Sequence, residues 1–373
     1  MVKNAKLSFG GDLPKSVGIG IVGIGFMGMI HYLAAARVPG AKVVAICSRD
    51  PKKLAGDWSG VQGNFGPPGG PMNLAGVATY ADFDALLADP TIDLVDLCVP
   101  NEDHARMAIR ALEAGKHVLV EKPIALSVAD ADAMVEAARS AERLLMVGHV
   151  LPFFPEFAFA KELIESGRYG KLRAAHLKRV IARSDRAADS DASGGPAVDL
   201  HIHDTHFIAL ICGVPSAVRS RGVIEGASVV HLTTQYLYDD PNLAVSCLAG
   251  GLSQAGRSFT HGFEFYLERA TLSFEFASVA GQGHLAIPLS VIHADGTVEQ
   301  PTQAGSGDPI DAFVAELTAA VEGVATGVAC PTLASDLARG ALRLCHAEIE
   351  SVRTGRTVAI HETSHPGVGP GLV

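Results

Sequence analysis

From residue 17 to residue 147, short, mainly apolar runs alternate with longer stretches in which apolar and polar positions recur at helical spacing. The apolar runs at 17–22, 43–47, 94–99, 118–121 and 144–147 predict buried strands. The stretches at 26–38, 83–88, 102–114 and 128–141 predict helices, the third of them ending at Gly115. Strands that alternate with helices form βαβ units around a parallel sheet covered on both faces. Residues 60–76 break this rhythm with Asn64-Phe65-Gly66-Pro67-Pro68-Gly69-Gly70-Pro71. They predict a long inserted loop, either near the adenosine end of a bound nucleotide or merely solvated.

After about residue 150 the pattern changes. A helix is expected at 157–166. Runs rich in β-branched and aromatic residues follow at 172–180, 229–238, 244–248, 263–267 and 271–276, and they predict a mainly antiparallel sheet. A helix over 198–211 interrupts them. Two late helices, 310–321 and 333–352, follow Pro309 and Pro331. The glycine- and proline-rich tail, 366–373, reads as extended. The fold expected is α/β, with a doubly wound parallel domain over residues 1–150. A second α/β domain with an open, mainly antiparallel sheet is expected over residues 151–373.

Composition narrows the class. The 373 residues suffice for two domains. Apolar residues make up 48% of the chain, but no run approaches a membrane span. The first sixteen residues carry lysines and an aspartate rather than a signal-peptide apolar core, so a cytoplasmic protein is expected. A net charge of −10 without a dense basic run argues against nucleic acid and anionic membranes as partners. None of the six cysteines has C-x-x-C spacing. Cys47 and Cys98 end strand-like runs and read as small buried hydrophobes.

The chemistry-bearing motifs begin with Gly23-Ile24-Gly25-Phe26-Met27-Gly28. It stands between a predicted strand and a predicted helix, the context a dinucleotide-binding G-x-G-x-x-G needs. There the first glycine turns the chain, the second admits a pyrophosphate and the third lets helix pack on strand. Phosphates then meet the free N–H groups and positive end of the helix. Coenzyme choice is read at Cys47-Ser48-Arg49-Asp50. Ser48 stands where an NAD enzyme places an acid for the ribose, and Arg49 suits a 2′-phosphate, so NADP(H) is favoured. NAD(H) stays possible if Asp50 serves the ribose instead. Glu121-Lys122-Pro123 closes a strand whose carboxyl end faces the ligand side of such a sheet, where an ammonium can hold a substrate hydroxyl.

Asp199-Leu200-His201-Ile202-His203-Asp204-Thr205-His206 is the third motif. On one continuous helix, Asp199 and His203 stack at i and i+4. His203 can exchange a proton near neutral pH, with Asp199 beside it. His201 faces elsewhere and His206 lies one turn on. His201-x-His203 imitates a metal-ligand pair, but that pair normally ends a strand and needs distant ligands, so no metal is expected.

Taken in order, Gly23–Gly28, Cys98-Val99-Pro100-Asn101-Glu102-Asp103-His104, Ala114-Gly115-Lys116-His117-Val118-Leu119-Val120-Glu121-Lys122-Pro123 and Asp199-x-x-x-His203 resemble the glucose–fructose oxidoreductase and inositol dehydrogenase (Gfo/Idh/MocA) family over most of the chain. The resemblance implies a Rossmann domain followed by an α/β domain whose open-faced sheet builds homodimers or homotetramers. It implies that Lys122, Asp199 and His203 are catalytic. It places Val99, Pro100, Asn101 and His104 on the nicotinamide side, together with Glu121 and Lys122. The implied activity is NAD(P)-dependent hydride transfer at a secondary alcohol of a sugar, sugar derivative or cyclitol. His149 and Arg183 are further substrate-contact candidates. The 60–76 insertion, the N-terminal extension and Ser48 depart from the family. Two other classes stay open: a redox-neutral glycosidase or epimerase-like enzyme that retains its nicotinamide, and a non-catalytic coenzyme sensor.

Overall fold

The computed structural model describes residues 16–63, 65–182, 195–302 and 306–360. The N-terminal part holds β1 (Val17–Val22), α1 (Phe26–Ala35), β2 (Ala41–Cys47), α2 (Pro51–Leu54), β3 (Ala78–Tyr80), α3 (Phe83–Leu87), β4 (Leu94–Leu97), α4 (His104–Glu113), β5 (His117–Glu121), α5 (Val128–Ala141) and β6 (Leu145–Gly148). The six strands pair in parallel in the order β3-β2-β1-β4-β5-β6. Helices cover both faces, so all six residues of β1 and all four of β4 are buried. That double burial is why these strands read as apolar runs, broken in β4 only by the buried Asp96. Polar side chains stop and start the helices. Asp50 caps α2, Asp82 caps α3, and Ser127 caps α5 by accepting the Asp130 N–H. Strand β3 escaped prediction because it has three residues and an exposed face.

The remainder consists of α6 (Pro155–Glu165), β7 (Leu172–Ala182), α7 (Pro196–Asp199), α8 (Ile202–Cys212), β8 (Ala217–Glu225), β9 (Ser228–Leu237), β10 (Ala244–Leu252), β11 (Arg257–Leu267), β12 (Ala270–Val279), β13 (Gln282–His293), β14 (Val298–Glu299), α9 (Ile310–Thr326), α10 (Ser335–Thr354) and β15 (Val358–Ala359). Its nine strands form one sheet in the order β14-β13-β12-β11-β7-β10-β9-β8-β15. Every pair is antiparallel except β7 with β10. Strands β8 and β13 were not expected, because six of nine residues in β8 and six of twelve in β13 are exposed and the alternation that marks a half-buried strand is weak.

Two late helices tie this sheet to the first. Ile310, Phe313, Leu317, Ala320 and Val321 of α9 pack in one core with Ile30 and Ala34 of α1. Helix α10 gives Ala338, Ala341 and Leu342 to the core of the parallel sheet, and Leu344 and Ala347 to that of the large sheet. The insertion joins the same assembly. Trp58 is fully buried with its ring 5.0 Å from that of Tyr32. Phe65 stands edge-on to Phe26 at 4.8 Å and stacks on Phe313 at 5.5 Å. Within the insertion Phe65 thus bridges α1 and α9, while most of the described residues of the loop are exposed and none lines the cleft described below.

Candidate active site

A cleft of about 920 Å³ opens at the carboxyl ends of the parallel strands, the ligand side of a doubly wound sheet. Gly23, Gly25, Phe26, Met27, Ser48, Arg49, Val99, Pro100, Asn101, Glu121, Lys122 and Asp199 line it, all of them named from the sequence. Asp50, weighed for the ribose from the sequence, lines it too, as do Lys53 of α2, Asp82 and Arg106 of α4, which carry no motif that would have marked them in the sequence. None of the described residues of the 60–76 insertion does.

The three motif glycines are needed for different reasons. Gly23 has φ +90°, and a Cβ there would fall 2.5 Å from the Cys98 carbonyl oxygen. A Cβ at Gly28 would fall 2.0 Å from the Gly23 carbonyl oxygen, so α1 can sit this close to the turn only without one. Gly25 has no atom within 4 Å of the same point. It caps α1 and faces the cleft. The open space therefore lies where a diphosphate would approach the helix N-terminus, and the cleft fits a dinucleotide. At the other end of β2, the Asp50 carboxylate accepts the Lys52 N–H at 2.9 Å, and Ser48 Oγ accepts the Asp50 N–H at 3.1 Å. Asp50 is thus engaged in capping α2, while the Arg49 side chain is exposed at the cleft.

Lys122 follows β5, and its peptide bond to Pro123 is cis. Its ammonium donates to Asp199 Oδ1 at 2.9 Å and to the Asp199 carbonyl oxygen at 2.8 Å. The second bond corrects the sequence reading. Residues 198–211 are not one helix: α7 ends at Asp199 and α8 begins at Ile202. The carbonyl that would accept the His203 N–H in a continuous helix accepts Lys122 instead, and His203 N–H turns to Leu200 at 3.4 Å. Asp199 and His203 consequently share no hydrogen bond among the described residues. What joins the triad is Lys122, whose charge His203 also feels.

Around His203 lies a wall of histidines. His149 and His206 stack at 3.8 Å with rings 8° from parallel, both fully enclosed. Burial first, then the charges of Lys122 and Arg179, holds His203 well below the ordinary imidazole range. Burial lowers His149 in the same way, and brings His206 and His261 down to about 3. These rings are neutral at pH 7. His203 is therefore present as a free base, though a weakened one. Arg179 beside it is held by two bonds to buried Asp204, at 2.7 and 3.1 Å.

This burial predicts a pH effect with a definite sign. Above the unfolded value of 6.5 neither state protonates these rings. Below it the unfolded chain takes up protons that folded His206 refuses until about pH 3. Stability is therefore lost as pH falls through that window. Thermal melts from about pH 7 down to about pH 5 are expected to fall more steeply for wild type than for His149→Gln/His206→Gln. Equal slopes would show that the histidine wall is protonated or hydrated.

The other expectations settle as follows. Gly28, His104, His149 and His203 do not line the cleft, so of the three predicted catalytic residues only Lys122 and Asp199 do. His104 is buried, with ring nitrogens 2.8 Å from the Pro123 carbonyl and 3.0 Å from the Val99 carbonyl, so it braces the two loops that flank the site. His201 lies against Glu348 at 2.5 Å and does not converge with His203. Cys47 is a buried hydrophobe, whereas the Cys98 thiol belongs to a polar cluster. Arg183, the 366–373 tail and the N-terminal extension up to residue 15 lie outside the described residues. No helix among the described residues is long and apolar enough to cross a membrane.

Comparison with known proteins adds three findings. Residues 17–149 match the family described as an oxidoreductase family with an NAD-binding Rossmann fold. The chain is 30% identical to myo-inositol 2-dehydrogenase of Thermotoga maritima over 52% of its length and 54% of that protein. It is 27% identical to inositol 2-dehydrogenase 3 of Saccharopolyspora erythraea over 95% of its length and 98% of that protein. The solved structure of a levoglucosan dehydrogenase in complex with NADH and levoglucosan superposes with a TM-score of 0.73 at 21% identity, covering 92% of this chain and 99% of that one. The chain spans about half the length of several curated relatives it matches, among them three at 55%, 47% and 54%.

Proposed function

The dinucleotide-binding part of this chain belongs to the Gfo/Idh/MocA oxidoreductase family, and on that premise we propose an NAD(P)-dependent dehydrogenase or reductase. Its substrate is a secondary alcohol or ketone of a sugar, sugar derivative or cyclitol. The observation that carries the reading is the ammonium of Lys122, held by Asp199 inside the cleft that the glycine turn opens. A nicotinamide bound there would supply the hydride acceptor or donor. In the oxidative direction Lys122 holds the substrate hydroxyl and stabilises its developing negative charge. Neutral His203 takes the proton, and Asp199 orients Lys122. The inositol and levoglucosan dehydrogenases among the similar proteins support this substrate class.

For the coenzyme we favour NADP(H). Arg49 and Lys53 face the cleft beyond β2 while Asp50 caps a helix. Arg49→Ala is expected to weaken NADP(H) binding by roughly 10- to 100-fold, the worth of a charge-assisted bond, and to leave NAD(H) within about threefold. Equal effects on both coenzymes, or tighter NAD(H) binding by wild type, would assign the site to NAD(H). Apolar side chains exposed on the large sheet, among them Val223, Ile224, Leu285 and Ile292, support pairing of copies through that sheet.

The whole reading is tested by titrating the purified protein with NAD(H) and NADP(H), followed by turnover of a sugar and cyclitol panel. Binding with turnover is the expected result. Retained, non-exchanging coenzyme without net reduction would point to a redox-neutral enzyme, and binding without turnover to a sensor.

A further inference from the structure

Beneath the glycine turn lies a group of titratable side chains that the proposed reaction does not use. His31 of α1 is fully buried. Its Nδ1 lies 2.8 Å from Asp96 Oδ2 on β4, and its Nε2 lies 3.1 Å from Glu121 Oε1 on β5. Glu316 of α9, also fully buried, reaches to 3.9 Å of Nε2. The Cys98 thiol stands 3.6 Å from Nδ1. The Phe313 ring closes the remaining side at 5.9 Å.

One imidazole thus faces a carboxyl group on each of three elements. A neutral ring has a single N–H donor and can bond only one carboxylate, whereas both nitrogens of an imidazolium donate. Here Nδ1 bonds Asp96, and Nε2 lies at ion-pair distance from Glu121 and Glu316 without a hydrogen bond of its own, so the three carboxyl groups around the ring favour the charged form electrostatically. The surroundings agree. Burial works against charge on His31, but the adjacent Asp96 and Cys98 outweigh it and raise the imidazole well above its ordinary range. Glu316 has no hydrogen-bond partner among the described residues. Burial, reinforced by the charges of Glu121 and Asp96 and opposed by His31, raises its carboxyl well above the carboxylate range. It is a neutral acid.

We propose that His31 is a positioning residue for the reaction. As a permanent imidazolium it pins the Glu121 carboxylate, and Glu121 in turn pins the peptide that carries Lys122. The link is short: Glu121 Oε1 lies 3.1 Å from His31 Nε2, an ion-pair distance, while Oε2 accepts the Lys122 N–H at 3.1 Å. Glu121 lines the cleft beside Lys122, whereas His31 acts from behind it. The proposal rests on the role given to Lys122 above. It adds that the aim of Lys122 is set from under the Rossmann sheet, by a residue one turn into the helix that follows the glycine loop.

The test compares His31→Gln and Glu121→Gln with wild type. Glu121→Gln breaks the same link without removing the buried ring, so the test survives if His31→Gln fails to fold. Each variant is expected to lose roughly 10- to 100-fold in kcat, the cost of misplacing a catalytic group by about 1 Å, and His31→Gln, which lies outside the cleft lining, to keep coenzyme Kd within about threefold. The double variant is expected to lose no more than the worse single one, because both break one path. Nitrogen NMR of the folded protein should show both His31 nitrogens protonated across neutral pH. A folded variant with wild-type kcat and only a lowered Tm would overturn the proposal. So would a singly protonated His31, or a stoichiometric metal ion bound by His31, Asp96 and Cys98. Failure of the polyol reading would look different, as wild-type protein without turnover on any polyol.

Discussion

Lys122→Ala is expected to lower turnover of the preferred polyol by roughly 10²- to 10⁴-fold, the range usual for a positioned acid–base group. The protein should stay folded and should still bind its coenzyme. Lys122 is the junction of the site: its ammonium meets both the carboxylate and the carbonyl of Asp199, and its charge reaches His203. Removing it leaves Asp199 half-exposed and solvated, so little stability is lost. His203→Ala should fall in the same range, through loss of the proton acceptor rather than of the hydroxyl clamp. Steady-state kinetics beside coenzyme titration separate the two quantities. Turnover within about threefold of wild type in both variants would remove these residues from the chemistry.

The second large effect concerns two glycines with opposite roles, Gly25 and Gly28, three residues apart in sequence. Gly25→Val is expected to weaken coenzyme binding by at least about 100-fold, or about 2.7 kcal/mol, with little change in Tm. No protein atom stands within 4 Å of the new Cβ, and the position faces the cleft. The added side chain therefore displaces ligand, not protein. Gly28→Val should instead unfold or strongly destabilise the N-terminal domain, because its Cβ would lie 2.0 Å from the Gly23 carbonyl oxygen. Fluorescence titration and thermal melts of the two variants give the contrast. Tight coenzyme binding by folded Gly25→Val would show that the diphosphate does not pass over the glycine turn.

Much of this was legible in the chain. Double burial makes parallel strands near-continuous apolar runs, so β1, β2, β4, β5 and β6 were found with small errors at their ends. The glycine turn, the Glu121-Lys122-Pro123 strand end and the residues of the 99–101 turn all reached the cleft. These features are local: a turn, a strand end and a helix start are written within a few residues. The failures are equally physical. Strands β8 and β13, with half or more of their residues exposed, lack a burial pattern to reveal them. The helix expected over 198–211 breaks at Leu200 and His201, because a lysine about eighty residues away takes the Asp199 carbonyl.

The sequence by itself determined that this chain forms a dinucleotide-binding parallel sheet, where its ligand edge lies, and that Lys122 stands there. Period, glycine spacing and strand ends carry that information without reference to the rest of the chain. Only the tertiary structure decided that Asp199 serves Lys122 rather than His203 and that Phe65 of the 60–76 insertion bridges α1 and α9. It alone brought His149 onto His206 and His31 between Asp96, Glu121 and Glu316. Each of these depends on side chains that meet from elements far apart in sequence. Burial and proximity then set which groups carry a proton, and neither is encoded in the spacing of residues along one strand or helix.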